Sequence, residues 1–277
     1  MSFLVLLVIV WVEKLSPLRQ RLQRDGVFLS ELRRLQGHRL LGREPWLLLL
    51  VLVGVPAVVL GLLLWVLMPV AYGLLALPLH LLVLAYSLGR GDPKVALGPL
   101  RDAWRREDDT AALHVAERDM TVTAQQPNEL PQQVQGWLLW RALGSFFSVV
   151  FWYSLLGPVA ALAYRLLALV AEHAEQPGLR ERAGQLLHAL DWLPARLLAG
   201  SFALVGNFMA VTRYLLHELL HWPLSAAALV GRAGQLAADL EPLQTSTEAV
   251  AGLDALWALL QRAAVLWYAV LAVATLV

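Results

Sequence analysis

Apolar and polar residues fall in long blocks along this chain, and the block lengths predict its elements. Residues 1–12 are apolar and uncharged, and Glu13 and Lys14 follow them. Twelve residues are fewer than the ~20 that a spanning helix needs. The helix is therefore expected to continue through Glu13 toward Leu15, with Glu13 facing protein rather than lipid. An acid at that depth is costly and often functional; the other reading of Glu13 is a snorkelling residue at a helix end. The segment has no basic start and no Ala-x-Ala cleavage site, so it does not read as a signal peptide. Residues 14–45 carry eight Lys/Arg against three acids, which predicts amphipathic helices on the cytoplasmic side of a membrane.

Residues 45–89 hold no charged residue. This predicts two spans, near 46–67 and 70–88, joined by a tight hairpin near Pro69, with both ends on the cytoplasmic face. His80 in the second span reads as a hydrogen-bonding residue facing the bundle, because no second ligand sits at helical spacing. Residues 89–141 form a polar, cytoplasmic helical insertion. One helix follows Pro99, and Asp108-Asp109-Thr110 reads as a break with an N-cap. A second helix, 111–119, carries Arg118 and Asp119. Asp108-Asp109 resembles a metal-binding pair, but beside three arginines it reads as a solvated cap.

The segment 142–170 is apolar and broken. Pro158 cannot donate inside a helix and Gly157 favours a helix end, so the first arm, 142–156, is too short to cross alone. Either one kinked helix spans or two short ones form a re-entrant V; polar breaks at membrane depth are tolerated where they line a buried cavity. Arg165 closes the segment. A polar stretch with Pro177-Gly178 as a turn leads to Leu-Asp-Trp-Leu-Pro-Ala-Arg-Leu at 190–197. Pro194 suits the first turn of a helix, which puts Asp191 or Trp192 just before it and Arg196 inside its first turn. An Asp191–Arg196 pair pinning that helix start and a polar site at the membrane surface are the two readings. Residues 197–212 are apolar with Gly200, Gly206 and Asn207, which predicts a membrane-associated helix packed through small residues. Residues 215–256 are amphipathic, and 257–277 are long enough for a last span.

Composition agrees. The chain is 58% hydrophobic and 16% charged with mean hydropathy +0.60, against ~45–50% and ~25% for soluble domains. The expected fold class is all-α: a polytopic helical membrane protein, one membrane domain over 1–277. About four membrane-crossing helices are expected, with re-entrant and amphipathic helices beside them. The bilayer is its first partner, and several of its eleven Trp residues flank apolar runs as interface anchors do. Net charge is +1 and no basic–aromatic interleaving occurs, so no nucleic-acid partner is expected. No cysteine is present, which removes disulfides, thiolate metal sites and cysteine nucleophiles.

His217-Glu218-Leu219-Leu220-His221 satisfies H-E-x-x-H, in which two His one turn apart bind Zn²⁺ and the Glu is a general base. This opens the alternative of a zinc intramembrane protease. Pro223 follows closely and no downstream His supplies a third ligand; only Asp239, Glu241, Glu248 and Asp254 remain. No phosphate-binding loop, dinucleotide Gly motif or Gly-x-Ser-x-Gly elbow is present.

The apolar N-terminal segment ending in Glu13, the charge-free hairpin, Arg118-Asp119, Gly157-Pro158 with Tyr164-Arg165, and the 190–197 stretch together resemble the AmpE family nearly end to end. The family comprises inner-membrane proteins of the β-lactamase induction operon of Gram-negative bacteria. It is in turn similar to the CobD/CbiB membrane enzymes of cobalamin synthesis, which use ATP to join an amino-alcohol to a corrinoid carboxylate. Arg118-Asp119, Gly157-Pro158 to Tyr164-Arg165, and Asp191 with Pro194–Leu197 match motif pieces of those enzymes. Their Asn-Thr-x-Asp-Ser-Met piece after Tyr-Arg is absent at 166–172, and their Asp-Asp is Leu190-Asp191.

The resemblance implies a regulatory membrane protein linked to cell-wall recycling, a pseudo-synthase in which catalysis has eroded. Its anion pocket is drawn from Arg118, Asp119, Arg165, Asp191, Arg196 and Glu13, for a nucleotide or muropeptide fragment. ATP and Mg²⁺ are cofactors only by family inheritance. The alternatives are an active ATP-dependent amide synthase on an unidentified carboxylate and the zinc protease above, and a homodimer is a further expectation. A pocket joining Arg118 with Asp191 and Arg196 requires 165–196 on the cytoplasmic side, and hence a re-entrant 142–164. Transport lacks a paired-repeat signal.

Overall fold

Blocks this rich in Leu, Ala and Val become helices, since a backbone in lipid must satisfy its own hydrogen bonds. The computed structural model describes residues 25–37, 44–67, 76–89, 93–124, 127–219, 221–240 and 246–276, and no strand occurs among them. The chain, expected as one membrane domain, divides into two compact units: 1–90 with 148–191, and 91–147 with 192–277.

The first unit contains α1 (Gly26–Gln36), α2 (Pro45–Leu67) and α3 (Ala76–Ser87). It also holds the later part of α6 (Leu130–Leu156), α7 (Pro158–His173) and the first half of α8 (Pro177–Val205). α2 is apolar all round, and residues such as Val58, Leu62 and Trp65 stay exposed, as a lipid-facing helix requires. Leu48 and Leu52 turn inward onto Leu32, Leu167, Val170 and Leu179. Polar pins cross this core: Gln176 Nε2 donates to the Gln36 carbonyl (3.0 Å), and His80 Nδ1 lies 3.0 Å from Tyr153 Oη. His80 thus bonds inside the bundle, as its isolated position in the sequence suggested.

The second unit contains α4 (Gly98–Arg105), α5 (Asp109–Met120) and the first part of α6. The second half of α8, α9 (Phe208–Glu218), α10 (Ala226–Ala237) and α11 (Ser246–Leu276) complete it. Trp104, Leu138, Phe147, Phe202, Leu229 and Leu256 fill its core. α6 and α10 approach closely through glycine, since a Cβ on Gly234 would meet Leu139 Cδ1 at 2.6 Å. Gln235 Nε2 donates to the Gln132 carbonyl (3.3 Å) and to Gln135 Oε1 (3.4 Å), which satisfies buried amides at this contact. Arg101 and Asp254 form an ion pair between α4 and α11.

Three helices among the described residues are long and apolar enough to cross a membrane: Pro45–Leu67, Leu130–Leu156 and Glu248–Ala274, with Ala76–Ser87 shorter. Three boundaries differ from those the sequence predicts. The polar insertion does not end at residue 141. A π-helical turn at Leu143–Phe147 carries the helix from Leu130 straight into the apolar arm, which makes one 27-residue element. Gly157 then breaks it with φ +79° and α7 begins at Pro158. Pro194 does not start a helix; it lies inside the 29-residue α8. An internal Pro removes one backbone bond and bends the helix, and the packing on both sides outweighs that loss. Finally, the apolar run 197–212 is two helices, because Asn207 caps a new start at Phe208.

The predicted cap at 108 is present. Asp108 Oδ1 accepts from Ala111 N (2.9 Å) and Thr110 Oγ1 (2.8 Å), and these bonds, led by that from Ala111, hold its carboxyl below the usual value. The carboxylate is the better acceptor, so the cap is complete at neutral pH and weakens as pH falls through that lowered value. Amide exchange at Ala111 is expected to accelerate with acidification, beyond its intrinsic pH dependence, in the wild type but not in Asp108→Asn. Parallel profiles in the two proteins would refute the cap's pH dependence.

Candidate functional site

Charged and hydroxyl side chains buried among apolar helices are costly and so mark candidate sites. Asp191, 1% exposed, is held in the first unit. Its Oδ1 accepts from Ser148 Oγ (2.7 Å) and Tyr164 Oη (2.8 Å). Ser148 is the first residue after the π-helical turn in α6, an irregularity frequent at functional positions. On α7, Arg165 Nη2 donates to Asp25 Oδ2 (3.1 Å), and both side chains are nearly fully buried. Asp25 sits just before α1, and its carbonyl receives the Leu29 amide (2.8 Å).

In the second unit, Arg196 is 6% exposed. Its Nε donates to the Leu219 carbonyl, Nη2 to that of His221 (2.9 Å) and Nη1 to that of Trp192 (3.0 Å). Its guanidinium lies 3.9 Å from the Trp192 ring centroid, and Trp222 stacks at 5.8 Å on Trp192. Arg118 and Asp119 are the exposed members of the set. They bond each other through Nε–Oδ1 (2.7 Å) and Nη2–Oδ2 (2.8 Å). The hydrogen bond from Arg118 lowers the Asp119 carboxyl below its usual value.

Each described candidate therefore has protein partners within its own unit, and Asp191 and Arg196 take separate ones. Glu13 lies outside the described residues. Sequence reasoning did not single out Ser148, Tyr153 or Asp25. Asp25 alone left a signal, as one of three acids in a basic stretch, whereas Ser148 and Tyr153 are undistinguished members of an apolar run.

The resemblance raises Mg-ATP chemistry, and the H-E-x-x-H motif raises zinc chemistry. Mg²⁺ with ATP needs gathered carboxylates and charge neutralisation at the phosphates. Asp119 is tied to its neighbour, Asp191 Oδ1 is engaged by two hydroxyls, and no group of three or more His, Asp or Glu is poised to hold a metal among the described residues. These residues do not fit Mg-ATP. For Zn²⁺, α9 ends at Glu218, so His217 and His221 are not stacked on one continuous helix. His217 Nδ1 lies 3.0 Å from the Arg213 carbonyl oxygen and His221 Nδ1 3.3 Å from Glu218 Oε2.

Long apolar helices joined by helical polar segments, with no strand among the described residues, define an α-helical membrane protein. The chain belongs to the AmpE family: the family model described as regulatory signalling modulator protein AmpE matches residues 1–274. That membership makes it a regulatory signalling protein. No curated protein and no solved structure matches the chain.

Proposed function

We propose that the chain is a non-catalytic inner-membrane modulator of β-lactamase induction, coupled to cell-wall recycling and responsive to an anionic small molecule. Family membership supports the regulatory role, and the exposure of the Arg118 guanidinium carries the rest. Arg165 and Arg196 are committed to a buried carboxylate and to backbone carbonyls, whereas the Arg118 side chain is 70% exposed beside a partly exposed Asp119. An exposed ion pair is worth little, so an incoming phosphate or carboxylate displaces it at small cost. A nucleotide or a muropeptide fragment carries that chemistry. Signalling then runs through the helical insertion into the membrane helices, with no bond made or broken.

Arg118→Ala is expected to abolish complementation of a deletion strain when β-lactamase activity is followed after inducer, while Arg118→Lys retains part of it. Immunoblots of inner-membrane fractions check that both variants accumulate normally. Wild-type induction in the Arg118→Ala strain removes the anion site, and an unaltered response in the deletion strain removes the regulatory reading itself.

A further inference from the structure

We propose that Trp192–Trp222 is a membrane-inserted helical hairpin whose apolar outer face contacts bilayer lipid and whose far end is closed by Arg196. No membrane-crossing candidate covers it, since Pro194, Arg196, Asn207 and Arg213 interrupt the apolar run, yet Arg196 and Asn207 spend their polarity internally.

The second half of α8 packs on α11, one of the membrane-crossing candidates. Trp267 Nε1 on α11 donates to Ser201 Oγ (2.9 Å), and Leu198, Ala199 and Phe202 are fully buried. The opposite side of this half-helix carries Leu193, Leu197 and Leu204, all exposed, at i, i+4 and i+11, a single helical stripe. α9 then folds back with Val211 and Leu215 buried, and leaves Phe208, Met209, Leu216 and Leu219 outside; Leu216 is 78% exposed. At roughly 100° per residue these four cover about a 100° arc. Arg213 follows about 40° beyond its edge, from where a long polar side chain reaches headgroups. On α11, Val265, Val270 and Val273 are exposed as well. A hairpin that packs on a membrane-crossing candidate and leaves apolar residues exposed along both arms fits hydrocarbon as its occupant.

The helix ends supply the second argument. In a bilayer, a chain reversal is tolerated only if its orphan backbone groups find protein partners. At the near turn, Asn207 Oδ1 accepts from Ala210 N (3.1 Å), Asn207 N donates to the Ala237 carbonyl (3.0 Å), and its Nδ2 donates to Asp239 Oδ1 (2.6 Å). At the far turn, Arg196 takes the Leu219 and His221 carbonyls and is itself covered by Trp192. A guanidinium with carbonyls at its edge and an aromatic ring on its face is stabilised without water. Arg196 is thus a positioning residue for the end of α9, a role independent of the anion site at Arg118.

The chain has no cysteine, so single cysteines can be spin-labelled in the full-length protein. The probe is the protein in liposomes of phosphatidylethanolamine and phosphatidylglycerol, read by collision with oxygen and with a water-soluble nickel chelate. Labels at Leu204, Met209 and Leu216 are expected to favour oxygen as a label at Val270 does, while one at Glu117 favours nickel. Nickel-dominated collision at the three hairpin sites overturns the proposal, and so does exclusion of both reagents, which means cover by protein or by a second copy. In Arg196→Ala the label at Leu216 is expected to gain mobility, with Arg196→Lys intermediate. An unchanged line shape in both variants overturns the capping role.

Discussion

Arg165→Met is expected to destabilise the protein by about 3–5 kcal/mol, enough to remove most folded material from a mild-detergent extract. Asp25 and Arg165 are 3.1 Å apart with side chains 3% and 10% exposed. Removing the cation leaves the Asp25 carboxylate in a low-dielectric interior. Much of the loss is the penalty of a nearly buried carboxylate deprived of this cation, not the worth of the pair. A second substitution tests this distinction. Asp25→Leu combined with Arg165→Met replaces both charges by apolar groups, a swap that is often near neutral, so the double variant is expected to recover most of the lost stability. Asp25→Asn alone should fall between the wild type and Arg165→Met. The midpoint of SDS-induced unfolding from dodecyl maltoside micelles, followed by circular dichroism, orders the four proteins. A midpoint for Arg165→Met within error of the wild type would show that the pair is not buried as described.

The same pair shows where sequence reading stops. Arg165 is legible as a candidate because it ends an apolar block, but its partner lies 140 residues upstream, and no local pattern encodes that meeting. Asp191 is a similar case, since Ser148 and Tyr164 are 43 and 27 residues away. Arg196 stands out in the 190–197 stretch, and its position inside a helix first suggested an anion or Asp191 as partner. The carbonyls it bonds belong to a helix end 23 and 25 residues downstream, and they exist only because α9 stops at Glu218. Features set by neighbouring residues read correctly: the Asp108 cap needs only residues 110 and 111, and α2 needs only an uninterrupted apolar run. The continuous α6 was hidden because Gln132, Gln135 and Arg141 look like loop polarity, although Gln135 is buried against Gln235. Pro194 misled for a complementary reason, since local propensity marks a helix start and tertiary packing overrides it.

The turn between α8 and α9 gives the second large effect. Gly206→Ala is expected to destabilise by about 3 kcal/mol, at the upper end of ordinary overpacking. An added Cβ would lie 2.6 Å from the Ala237 carbonyl oxygen, 2.9 Å from Ala237 Cβ and 3.0 Å from the Phe202 carbonyl oxygen. Two of these are backbone atoms already engaged. The Ala237 carbonyl accepts from Asn207 N (3.0 Å) and the Phe202 carbonyl from Gly206 N (2.9 Å). Relief of the clash must therefore part α10 from the turn, and the separation also strains the Asn207 cap of α9, itself worth about 1 kcal/mol. Gly200, inside α8, provides the opposite sign. Nothing lies within 4 Å of its added Cβ, so Gly200→Ala relieves only the entropy of a helical glycine and is expected to stabilise by about 0.5–1 kcal/mol. Two chemically identical substitutions six residues apart should thus move the SDS midpoint in opposite directions. If both raise it, the turn after α8 does not meet α10 at Ala237, and the near turn of the hairpin loses the contact that satisfies its backbone.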